Sequence, residues 1–128
     1  IHIFIKLDPL YLNGYALRIE RTPDHDRAVS FSLIKYEDGK TSVISDEVIS
    51  NCFRTPCHIA VGIADGVLHA SAYTEANRQD RKCCDEVVDK VELSAPVEEN
   101  YLTGFCIQHT GSTGPSSTLI RNIYIRWD

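Results

Sequence analysis

Methionine is missing from the 128 residues, tryptophan occurs once, and no apolar run comes near the ~20 residues that cross a bilayer as a helix. A membrane-spanning helix is therefore excluded. No basic-then-apolar leader opens the chain; it begins inside an apolar alternation, residues 1–7, that already has strand character. That beginning predicts a module of a longer protein, and it leaves the compartment open. Basic residues are also few, 13 Lys and Arg against 18 Asp and Glu, for a net charge of −5, and they are scattered rather than striped. Nucleic acid and anionic lipid are thus unexpected partners, since both need a contiguous basic footprint. Helical periodicity is nearly absent as well.

Motifs for covalent chemistry are missing too. Four histidines, His25, His58, His69 and His109, lie near Ser or Cys, but no Gly-x-Ser-x-Gly elbow presents a nucleophile. Gly111-Ser112-Thr113-Gly114 precedes an apolar alternation and not a helix, so it supplies no helix N-terminus for a phosphate. Five cysteines, an odd number, leave at least one thiol unpaired within the chain. Cys52 and Cys57 flank a four-residue connection whose ends could approach the ~5.5 Å between Cα atoms that a disulfide needs, while unbridged thiols are the alternative. The adjacent Cys83-Cys84 suggests half of a zinc site, but Cys106 and His109 lack the spacing that would complete one.

What remains is strand signal. With 43% hydrophobic and 24% charged residues the chain has the composition of a folded single domain spanning residues 1–128. Alternation of period two recurs over residues 15–21, 28–36, 41–44, 58–63, 67–73, 88–93, 102–109 and 118–127. Tyr15, Leu17 and Ile19 share one face, as do Val29, Phe31 and Leu33, then Ile59, Val61 and Ile63, then Leu68, Ala70 and Ala72. Asp38-Gly39 and Asp65-Gly66 supply hairpin turns. Roughly nine strands with hardly any helix predict an all-β, antiparallel two-sheet jelly-roll sandwich with wet outer faces. Phe31, Val61, Phe105 and Ile123 are its expected buried positions, each from a different strand.

Four segments carry a family likeness: residues 14–19 (Gly-Tyr-Ala-Leu-Arg-Ile), the hairpin over 59–70, residues 104–108 (Gly-Phe-Cys-Ile-Gln), and residues 120–125 (Ile-Arg-Asn-Ile-Tyr-Ile). Together they resemble the concanavalin A-like lectin/glucanase superfamily, in particular its laminin G-like jelly rolls. That resemblance implies a secreted, periplasmic or cell-surface protein, a last strand that returns beside the first, and calcium at a sheet rim, for which Asp8, Asp24 and Asp26 are the loop candidates. Catalytic members of the superfamily place two carboxylates on one strand face in a Glu-x-Asp-x-x-Glu pattern. This chain has none; Asp85, Glu86, Asp89, Glu98 and Glu99 are its only dense carboxylates, and they fall at loop or strand edges.

Sugars are held by aromatic faces and planar polar side chains, which this sequence does supply. Arg18, Tyr36, Gln108, His109, Tyr124 and Arg126 are the expected ligand contacts, with Tyr73, Tyr101 and Asn122 as further candidates. The function expected is a non-catalytic carbohydrate-binding or accessory module for a polysaccharide or oligosaccharide. The alternatives are a small glycoside hydrolase or polysaccharide lyase lobe, and a protein-interaction or architectural domain.

Overall fold

A computed structural model describes residues 1–7, 13–22, 28–54, 56–75, 87–98, 104–109, 120 and 122–125. These residues contain ten strands and no helix: β1 (His2–Leu7), β2 (Gly14–Arg21), β3 (Val29–Glu37), β4 (Lys40–Val43), β5 (Val48–Ser50), β6 (Cys57–Ala64), β7 (Val67–Thr74), β8 (Val87–Val88), β9 (Val91–Pro96) and β10 (Cys106–Gln108). They form two sheets. The larger runs β10-β1-β2-β3-β5-β8 with β4 also on β3, and the smaller runs β6-β7-β9. All pairs are antiparallel except β5 with β8, which is parallel and therefore departs from the expected all-antiparallel arrangement.

Local chemistry explains the hairpins. Asp38 and Gly39 take φ of 52° and 78°, and Asp65 and Gly66 take 53° and 73°. Two successive left-handed residues are what a two-residue turn between twisted strands requires, and Asp-Gly tolerates them. Each turn sets the register of the strands beside it, pairing Glu37 with Lys40 and Ala64 with Val67.

The two sheets meet through their alternating apolar faces. Tyr15, Leu17 and Ile19 of β2, with Phe31 and Leu33 of β3, are buried against Leu68, Ala70 and Ala72 of β7 and Val91, Leu93 and Ala95 of β9. The Tyr15 hydroxyl reaches across to accept the Glu98 backbone N–H at 3.0 Å, just beyond β9. Ile59, Val61 and Ile63 of β6 pack against the same cluster but stay half-buried. Val61 thus points inward as expected without full burial, because β6 is an outer strand of the smaller sheet among the described residues.

Other expectations fail for identifiable reasons. Phe105 is 38% exposed: it precedes β10, so ladder pairing and the alternation begin only at Cys106. Ile123 is 57% exposed, because residues 122–125 form no strand and Asn122, at φ 55°, breaks the extended run. The bridge between Cys52 and Cys57 is not formed; Cys52 lies fully buried in the main core, whereas Cys57 opens β6 opposite Thr74. The Thr74 hydroxyl donates to Pro56 O at 2.7 Å, and the Cys52 N–H donates to Ser50 Oγ at 3.1 Å, so hydrogen bonds hold this corner. Nor is the outer face of the larger sheet uniformly wet. Phe4, Ala16 and Ile34 form a second buried cluster there, with Tyr36 and Cys106 packed beside it.

Truncation of Phe31 to Ala is expected to cost about 3–5 kcal/mol, and truncation of Phe105 to Ala less than about 1 kcal/mol, because only the first leaves a cavity in a closed core. Urea unfolding of the two variants checks the ranking.

Candidate functional site

Period-two alternation places the residues turned away from the main core in rows on each sheet, and two rows carry chemistry. On the larger sheet, strand register aligns Gln108 of β10, His2 of β1, Arg18 of β2 and Ser32 of β3 side by side. His2 Nδ1 lies 3.3 Å from Gln108 Oε1, and Arg18 Nε donates to Ser32 Oγ at 3.3 Å while standing 3.7 Å from Glu20 Oε1. Two expected contacts, Arg18 and Gln108, therefore share one row with His2, a residue the sequence alone did not single out. The row is internally satisfied, so its polar groups are already engaged with one another. Burial holds the His2 imidazole below its ordinary pKa, with the Gln108 contact opposing.

The remaining expected contacts do not converge there. Tyr36 is on the same face but half-buried, its ring edge-on to Phe4 at 6.5 Å, so it fills the second apolar cluster. His109 is exposed just beyond Gln108, and Tyr124 is 85% exposed in the segment without strand pairing. Asn122 is exposed in that segment too. Arg126, Tyr101, Asp8, Asp24, Asp26, Cys83 and Cys84 lie outside the described residues. Among the described residues no three His, Cys, Asp or Glu side chains gather to hold a metal ion.

The smaller sheet presents a shallow, open surface. With Leu68, Ala70 and Ala72 turned inward, β7 must present His69, Ser71 and Tyr73 outward. Register places His69 between Gly62 of β6 and Ser94 of β9, Ser71 between Ala60 and Glu92, and Tyr73 beside His58. Small side chains along β6 leave a groove of about 590 Å³ over Ala60, Gly62, His69, Ser71, Glu92 and Ser94. At Gly62 the space that a β-carbon would occupy is open, with no atom within 4 Å of it.

The next row along the strands, beyond Ala60 and Ser71, is an aromatic pair. The His58 and Tyr73 rings stack at 4.9 Å between centroids and 24° between planes, and Tyr73 remains 43% exposed. His58 Nε2 is also 3.5 Å from Glu75 Oε1, both side chains being exposed. Across the sheet, Lys90 Nζ stands 3.1 Å from Glu92 Oε1. Tyr73 was singled out from the sequence; His58 as its partner and the small-residue floor were not, although the alternation of Ala60, Gly62 and Ala64 against Ile59, Val61 and Ile63 carries the signal for the floor.

Comparison with protein-family models, with curated proteins and with solved structures finds no match to the chain.

The depressed pKa of His2 has a signed consequence. Its neutral form is favoured by the fold, so its contribution is present above the ordinary value of 6.5 and is lost as pH falls below it. Between pH 7 and 5 the wild type is expected to lose more stability than His2→Gln, measured as the shift in urea midpoint.

Proposed function

We propose that the chain is a non-catalytic carbohydrate-binding module of concanavalin A-like, laminin G-like jelly-roll type, belonging to a secreted or surface protein, and that its ligand lies on the outer face of β6, β7 and β9. The observation that carries this reading is the exposed His58–Tyr73 stack, one register row beyond the open depression over Ala60, Gly62, His69 and Ser71. A pyranose presents a C–H-rich face that packs on an aromatic ring, and its hydroxyls need polar partners a few ångströms away. Tyr73 supplies the ring, pre-ordered by His58, so little side-chain entropy is lost on binding. His69, Ser71 and Ser94 supply donors and acceptors along the groove. The row of Gln108, His2 and Arg18 is the weaker candidate because its groups are already bonded to each other.

Binding without catalysis is supported by chemistry. A glycosidase needs two carboxyl groups facing each other across a scissile bond. On this face Glu92 is paired with Lys90, and Glu75 with His58 at the far edge. A shallow site with one aromatic anchor corresponds to affinities of roughly micromolar to millimolar.

A protein-interaction role is the second reading, favoured by one observation: Ile120, Ile123, Tyr124 and Ile125 are all exposed within six residues. The two readings separate by experiment. Calorimetric titration against a panel of polysaccharides is expected to give heat with at least one, and Tyr73→Ala to weaken that binding about tenfold or more, equivalent to about 1.4 kcal/mol. Tyr73 is an exposed strand residue, so the variant should keep its melting temperature. Heat that is unchanged in Tyr73→Ala would remove this face from the account, and no heat with any glycan would put the interaction reading ahead.

A further inference from the structure

We infer that the outer edge of β6 is a self-association surface, on which the β6 of a second copy of this chain pairs antiparallel about a two-fold axis at Val61. This goes beyond the carbohydrate reading and does not depend on it.

A sheet edge presents backbone N–H and C=O groups to any extended chain, and folded proteins protect their edges with short strands, charges, proline or bulges. Among the described residues β6 pairs with β7 alone. The other outer strands carry such protection: β10 has three residues, β8 has two, β4 has four beginning with Lys40, and β9 holds Glu92 and ends on Pro96. By contrast β6 runs for eight residues without Asp, Glu, Lys, Arg or Pro, and its register against β7 has no bulge. Its core-facing side chains differ as well. Val91, Leu93 and Ala95 of β9 are buried, whereas Ile59, Val61 and Ile63 of β6 face the same core and stay half-buried.

The backbone of those three residues points to the same edge. A two-residue turn such as Asp65-Gly66 closes on a hydrogen-bonded flanking pair, here Ala64 with Val67. Bonded and non-bonded pairs then alternate along an antiparallel ladder. Ala60, Gly62 and Ala64 therefore bond to β7, while Ile59, Val61 and Ile63 direct their N–H and C=O groups away from it.

The occupant that fits is a second copy, because the edge is complementary to itself. Directly opposed residues of an antiparallel pair face the same side of the sheet, so a two-fold axis must pass at a residue that meets its own copy. With the axis at Val61, Ile59 lies opposite the partner's Ile63, Val61 opposite the partner's Val61, and Ile63 opposite the partner's Ile59. Each of these pairs exchanges two backbone hydrogen bonds and sets branched apolar side chains against each other on the core side. On the outer side Ala60 meets the partner's Gly62, where open space receives its methyl group, and His58 meets the partner's Ala64. No carboxylate faces another across this seam, which matters for two chains that each carry a net charge of −5.

The test is sedimentation velocity of the wild type and Val61→Pro over a concentration series reaching about 1 mM, with amide hydrogen exchange of the wild type at both ends of the series. The Val61 N–H is not part of the ladder with β7, and proline is accommodated in an edge strand, so Val61→Pro is expected to fold. Pairing through β6 predicts a rise from the mass of one chain to that of two, and a dissociation constant at least tenfold weaker in Val61→Pro. It also predicts that the amides of Ile59, Val61 and Ile63 exchange at least tenfold more slowly in the concentrated sample, while those of Ala60, Gly62 and Ala64 are slow in both. This odd-even signature decides the matter on the wild type alone should Val61→Pro fail to fold. A wild type that stays monomeric at about 1 mM would overturn the inference. So would odd-numbered amides that are slow at every concentration, since the edge would then be covered by the chain itself. Association unchanged in Val61→Pro, with slowing at Ile123–Ile125 instead of β6, would overturn it in favour of the exposed apolar segment. None of these readouts involves a glycan, so they leave the carbohydrate reading to its own titration.

Discussion

The facing of the described strands follows from the seam where β2 and β3 press against β7 and β9. Leu17, Phe31 and Leu33 are fully buried there against Leu68 and Ala72, and Val91 is nearly so. Each large side chain closed into such a seam is worth about 1.5–3 kcal/mol, which makes the facing of each strand a matter of several kcal/mol. A one-residue slip of β7 would turn Leu68 out and Tyr73 in. The exposed row of His69, Ser71 and Tyr73 is therefore the reverse side of the core, held in place by it.

The two outer faces answer to this constraint differently. On the larger sheet, Phe4, Ala16 and Ile34 make a second cluster on the side away from the main core, and the polar row of Gln108, His2, Arg18 and Ser32 borders it with its hydrogen bonds satisfied internally. On the smaller sheet no such second cluster exists among the described residues, and the outward positions of β6 are too small to cover the sheet. An open groove with one ordered aromatic pair results.

Much of the architecture was legible in the sequence because period two and turn chemistry are local signals. Tyr15, Leu17, Ile19, Phe31, Leu33, Leu68, Ala70 and Ala72 face inward as the alternation requires, and both Asp-Gly pairs turn with positive φ. Alternation says which side chains share a face, however, and not whether that face is covered. Phe105 and Ile123 alternate correctly with their neighbours on paper, but one precedes its strand and the other follows a left-handed Asn122. Site residues were harder still, since Arg18 and Gln108 are neighbours only through β1, and His58 meets Tyr73 only through the register that Asp65-Gly66 imposes. Pairing across strands is long-range information that a single strand does not contain.

That the ligand face is the back of the β7 core strand can be tested by mapping amide chemical shifts during titration with a polysaccharide that binds. The account predicts changes concentrated at His58, Ala60, Gly62, His69, Ser71, Tyr73, Glu92 and Ser94, with the amides of β1, β2 and β10 unmoved. Changes concentrated instead at Gln108, His2 and Arg18 would contradict it.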